Sequence, residues 1–99
     1  GVMAIKAVAR RPWGDQPPNA RTWYEPQRTP EGIEQGVGFA LSTPGVHAFC
    51  TPSDVPTARL AIAAAERFTA LTADQWIGLL STDDELIFPL ADHAVPAWR

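Results

Sequence analysis

Four segments emerge when the chain is read for the spacing of its apolar positions. Val2-Met3-Ala4-Ile5-Lys6-Ala7-Val8 and Val46-His47-Ala48-Phe49-Cys50-Thr51 are short, mostly apolar runs that suit a pleated, buried surface. Between them Ile33, Val37, Ala40 and Leu41 fall at i, i+4, i+7 and i+8, a single helical stripe. An alanine-rich run ending near Phe68 supplies a second helix. The predicted order is strand, helix, strand, helix.

Punctuation residues set the element ends. Thr29-Pro30-Glu31 suits a helix start, with Thr29 as N-cap, Pro30 at the first helical position and Glu31 at the positive end of the dipole. Pro44-Gly45 is a turn dipeptide ahead of the second strand. After that strand, Ser53 is the expected N-cap, with Asp54 in the first turn and Pro56 tolerated there. Gly32, Gly36 and Gly38 weaken the first helix by roughly 1 kcal/mol each relative to Ala. Packing, through close approach to a sheet, must therefore hold it. Thr72-Ala73-Asp74-Gln75 is a capping box, with Leu71 and Trp76 placed as its hydrophobic staple. Trp76, Ile77, Leu79 and Leu80 then make a short apolar helix. Ser81-Thr82-Asp83-Asp84-Glu85 starts another acidic turn before Leu86-Ile87-Phe88-Pro89-Leu90. A tail this apolar must pack on the rest of the fold, on another subunit or on itself.

Composition narrows the class. The 99 residues suffice for one small domain, and 45% apolar content is ordinary for a globular chain. A net charge of -3 gives no basic footprint for nucleic acid. The single cysteine, Cys50, excludes an internal disulfide and a cysteine-rich zinc site, and inside a strand it is expected to be a small buried hydrophobe. No run reaches the roughly 20 apolar residues that a membrane span needs, and no signal-peptide pattern is present. A soluble, cytoplasmic protein is the expectation. Two parallel strands with their helices cannot cover both faces of a sheet, so the chain reads as the end of something larger.

Candidate chemistry is sparse. Lys6, Arg10 and Arg11 follow the first strand and suit either contact with a phosphate or carboxylate, or a solvated loop. The connection from Pro12 to Pro26 carries four prolines with Trp13, Trp23 and Tyr24. Connections of that length act as lids or binding loops, and these rings either line a pocket or anchor the loop. His47 has no histidine partner, and His93 beside Asp92 has no nucleophile in reach of the pattern. The three glycines at 32, 36 and 38 lie within a helical stripe and not between strand and helix, which excludes a dinucleotide motif. The best ligand corner is the open helix start at Ser53, Asp54 and Val55, where backbone amides favour an anion. Asp54 opposes that, and Lys6, Arg10 and Arg59 are the charges available to compensate.

These residues resemble the last two strand-helix units of the aldo/keto reductases. Val2-Met3-Ala4-Ile5-Lys6-Ala7 is similar to the family's seventh barrel strand. Phe39-Ala40-Leu41-Ser42-Thr43-Pro44-Gly45-Val46 is similar to its following helix and turn, and is the most specific piece. His47 to Asp54 stands where the eighth strand enters the cofactor-phosphate loop, and Glu66-Arg67-Phe68-Thr69-Ala70-Leu71-Thr72 resembles the end of the last barrel helix. Pro52 departs from the family's small glycine, and Ile62 stands near the place of its asparagine.

The resemblance implies an α/β fold: a partial (β/α)8 TIM-barrel segment over residues 1–75, with an apolar helical tail over 76–99. It implies a parent that reduces carbonyl substrates with NADP, the catalytic Asp, Tyr, Lys and His coming from strands earlier than any present here. The cofactor side would be carried by Ile5, near the nicotinamide, together with Lys6, Thr51, Ser53, Asp54 and Arg59. The chain by itself is then expected to be inactive. The alternative is a non-catalytic interaction or assembly module of the same fold, completed by self-association or by a partner, with no nucleic-acid or membrane role.

Overall fold

The computed structural model describes residues 1–80 of the 99. The readings made for the acidic turn at 81–85, the apolar run at 86–90 and the Asp92-His93 pair lie outside the described residues. The elements in order are β1 (Val2–Ala4), β2 (Ala9–Pro12), β3 (Tyr24–Pro26), α1 (Pro30–Ser42), β4 (Val46–Phe49), α2 (Val55–Glu66) and α3 (Ala73–Leu80). This is a small mixed α/β domain. No helix among the described residues is long and apolar enough to cross a membrane.

β1 and β4 pair in parallel, Val2 opposite Val46, Met3 opposite Ala48 and Ala4 opposite Phe49, with an irregularity between Val2 and Met3. Helix α1 makes the crossover between them and packs on both β4 and α2. β1, α1, β4 and α2 follow the expected strand-helix-strand-helix order, with shorter strands than the apolar runs suggested and with two further strands inserted between β1 and α1. β1 stops at Ala4 because Lys6 adopts a φ of 58°, which turns the chain out of the extended direction. A second, antiparallel ribbon of β2 and β3 lies within what the sequence offered only as a proline-rich connection.

The helix boundaries follow their caps. Thr29 caps α1, its hydroxyl accepting the Gly32 N–H at 3.0 Å, with Pro30 in the first turn. The stripe lands as expected: Ile33, Val37 and Ala40 are buried, and Leu41 packs against the same cluster. Val8, Ala61 and Ala64 complete that core. Gly36 shows what the glycine-rich face permits. A Cβ there would stand 2.2 Å from the Ala7 carbonyl oxygen, so α1 lies directly against the backbone that follows β1. The capping box forms, Thr72 N–H reaching Gln75 Oε1 at 2.9 Å and Gln75 N–H reaching Thr72 Oγ1 at 3.2 Å. α3 then docks on the end of α1. Trp76 stacks on Phe39 with ring centroids 5.0 Å apart, and its indole N–H donates to Thr43 Oγ1 at 3.2 Å.

Three expectations are corrected. Cys50 is exposed and not buried, because β4 ends at Phe49 and nothing among the described residues covers that sheet end. The first strand is not a buried one: Val2 and Met3 are 57% and 60% exposed. The α2 cap is Asp54 and not Ser53, for reasons that belong to the site itself.

Candidate functional site

Parallel pairing brings the carboxyl ends of β1 and β4 to one edge of the domain. There the Cys50 N–H donates to the Ala4 carbonyl at 2.9 Å, so Ile5 and Thr51 leave the sheet from neighbouring points. In α/β sheets this end is where ligands collect, because the loops that follow the strands are free to vary. Ile5 is 63% exposed. Lys6 follows it at the turn that Ala9 closes by donating its N–H to the Lys6 carbonyl at 3.0 Å. Cys50 lies beside Met3, its thiol 3.2 Å from the Met3 sulfur.

The second strand delivers the chain to the start of α2, where Asp54 holds three donors. Its Oδ2 accepts the Thr57 N–H at 3.2 Å and the Thr57 hydroxyl at 2.6 Å, and its Oδ1 accepts the Arg21 N–H at 3.3 Å. Those bonds, the Thr57 hydroxyl first, hold the Asp54 carboxyl below the usual carboxylate range. Ser53 cannot cap the helix because its hydroxyl donates to the Arg21 carbonyl. Both backbone groups of Arg21 are thereby tied to the α2 start, and the connection between β2 and β3 crosses over it. Thr22 is pinned next to this: its carbonyl accepts the Trp13 indole N–H at 2.8 Å, and its hydroxyl donates to the Tyr24 carbonyl at 2.5 Å. Trp13 and buried Tyr24 are therefore anchors, whereas Trp23 stands 90% exposed.

The six residues expected around a cofactor do not share one pocket. Ile5 and Lys6 line a groove of about 420 Å³ along α1, facing Gln35, Gly36, Phe39 and Leu79. Asp54 lines a separate cleft of about 260 Å³ with Asn19, Arg28 and Leu60. Thr51, Ser53 and, on α2, Arg59 are exposed and line neither cavity. Arg10 and Arg11 are both drawn to Glu25 across the ribbon, Arg10 at 3.5 Å, and the Arg11 hydrogen bond holds the Glu25 carboxyl below its usual range. Among the described residues no cluster of three or more His, Cys, Asp or Glu side chains could hold a metal ion.

Sequence reasoning missed Arg21 and Thr22 as the partners of the α2 start. The signal in the sequence was the run Thr22-Trp23-Tyr24, three residue types that favour strands; the alternating burial of 22–26 is visible only in the structure.

Comparison with known proteins adds one partial likeness. A 44-residue stretch, 44% of this chain, is 46% identical to part of nonribosomal peptide synthetase 32 of Fusarium pseudograminearum, and it makes up 0% of that protein's length to the nearest per cent. The chain thus spans a negligible share of that relative. No family model matches the sequence. No solved structure matches the fold.

Proposed function

We propose that residues 1–75 form the last two strand-helix units of a (β/α)8 barrel of the aldo/keto reductase type. In this reading they supply one wall of the nicotinamide cofactor site and none of the catalytic groups. The observation that carries it is the parallel β1–β4 pair with its α1 crossover, α2 following β4, and Ile5, Lys6 and Thr51 leaving the same sheet end. The apolar side chains left exposed on β1, Val2 and Met3, suit a sheet that continues into further strands. NADP remains the cofactor class that this reading assigns, with a carbonyl compound as substrate of the parent. α3 begins at Ala73, so the border at 75/76 between barrel and tail would lie inside one helix.

A chimaera tests this directly. Residues 1–75 would replace the last two strand-helix units of an active aldo/keto reductase. A folded chimaera that quenches NADPH fluorescence and reduces an aldehyde supports the reading. One that folds, by its circular dichroism and melting, yet binds no nucleotide overturns it. The chain alone is expected to oxidise no NADPH with any aldehyde.

A second reading has its own support, because β1 and β4 each keep an unpaired edge among the described residues. Open edges invite pairing with another chain. An assembly module that associates through them would sediment as a closed oligomer of defined mass, and an excised barrel segment would not.

A further inference from the structure

The outer face of the β2–β3 ribbon has the make-up of an interface. Tyr24 is 7% exposed and Pro26 is fully buried, so the inner face of β3 packs on the domain. Glu25 points to the opposite face of β3, and Trp23, just ahead of the strand, is exposed between buried Thr22 and Tyr24. There the Trp23 indole is 90% exposed. Arg11 stands opposite Glu25, and Arg10 reaches the same carboxylate at 3.5 Å, the two guanidinium-bearing side chains being 40% and 48% exposed. Arg28 contributes its field to Glu25 as well, so several positive charges converge on one carboxylate. The charge is segregated along the chain: five of eight basic residues but two of eleven acidic ones fall in the first thirty positions. Large aromatic residues are ordinarily mostly buried, and Trp with Arg is the pairing enriched where proteins meet.

We propose that this face docks an acidic polypeptide segment, with Trp23 as the apolar anchor and the exposed Arg10 receiving a carboxylate while Arg11 stays on Glu25. Guanidinium groups match carboxylates in geometry as well as charge, which is the reason for a carboxylate-bearing partner. Nothing in this depends on the barrel reading, which is carried by the β1–β4 pair, α1 and α2 and not by the ribbon.

The test uses the whole chain and a ten-residue glutamate peptide, following the Trp23 indole N–H resonance, assigned through Trp23→Phe. Saturable shifts confined to the ribbon, with affinity falling about threefold or more from low to physiological salt, are expected. Trp23→Ser, at a site exposed enough to leave folding intact, should weaken binding by roughly fivefold or more. Arg10→Glu should abolish it. Three results would each overturn the proposal: no shift at saturating peptide, equal affinity in Trp23→Ser, or tighter binding of a ten-residue oligothymidine, which would mark a nucleic-acid surface instead.

Discussion

Gly36→Ala is the sharpest perturbation the fold allows. An ideal Cβ at this position would lie 2.2 Å from the Ala7 carbonyl oxygen and 3.3 Å from its carbon, with the Val8 Cα at 3.6 Å. These are backbone atoms, so no rotamer change relieves the clash; α1 must lift off the turn after β1. That turn carries Val8, which is 1% exposed against Ile33 and Val37, so lifting the helix opens the core. Overpacking of this kind costs about 1–3 kcal/mol, set against a gain of about 1 kcal/mol in helix propensity. Because the clash is with backbone atoms, the upper end of that range applies, about 2–3 kcal/mol. A net loss of about 1–2 kcal/mol is expected from a domain whose whole stability is on the order of 5–10 kcal/mol. Gly38→Ala is the internal control. Its Cβ would meet only the Leu71 side chain, at 3.6 Å, so the propensity gain of up to about 1 kcal/mol survives. Urea unfolding of both variants measures the difference, with unchanged slopes showing that the same surface unfolds. A Gly36→Ala midpoint equal to or above that of the parent would refute the seating of α1 on Ala7.

Other predictions follow from single contacts. Asp54→Ala removes the α2 cap and one tether of Arg21, and should cost about 1–2 kcal/mol in a urea melt, with Asp54→Asn retaining most of it. Asp54 and Glu25 titrate lower in the fold than in the unfolded chain, so their stabilisation is complete above the ordinary range near about pH 4. It should be lost as pH falls through their lowered values, and a midpoint that does not drop in acid would contradict this. Trp76→Ala removes the stack on Phe39 and the bond to Thr43, so amides of 73–80 should lose hydrogen-exchange protection while the Val37 amide keeps it. Phe68→Ala should cost clearly less than the roughly 3–5 kcal/mol of a fully buried ring, because Phe68 is 37% exposed.

What could be read from the sequence was whatever local chemistry decides. The Ile33–Val37–Ala40 stripe, the Thr29 cap and the Thr72–Gln75 box each depend on residues within one or two turns, and each formed where expected. The failures lie where a distant partner decides. Ser53 has the side chain of a cap, but its hydroxyl is taken by Arg21, 32 positions away, which passes the role to Asp54. Cys50 sits in an apolar run, yet burial depends on whether a further layer covers the sheet, and none does among the described residues. The β2–β3 ribbon was hidden because prolines at 12 and 26 read as loop, although both are tolerated at strand ends beside an edge. For the candidate site, pairing of strand ends was legible from the two apolar runs. The tie between Arg21 and the α2 start, which fixes Asp54 at the helix cap, was not.

A nucleotide titration tests the cofactor assignment of this sheet end most directly. Backbone amides of the full chain would be followed while NADPH and, separately, NADH are added. Shifts are predicted at Ile5, Lys6, Cys50, Thr51 and Ser53, the positions where the two parallel strands end, with affinity near the millimolar range, about 4 kcal/mol, because only one wall of the site is present. Shifts centred elsewhere, or none at these amides at tens of millimolar nucleotide, would contradict the assignment of this sheet end to a cofactor.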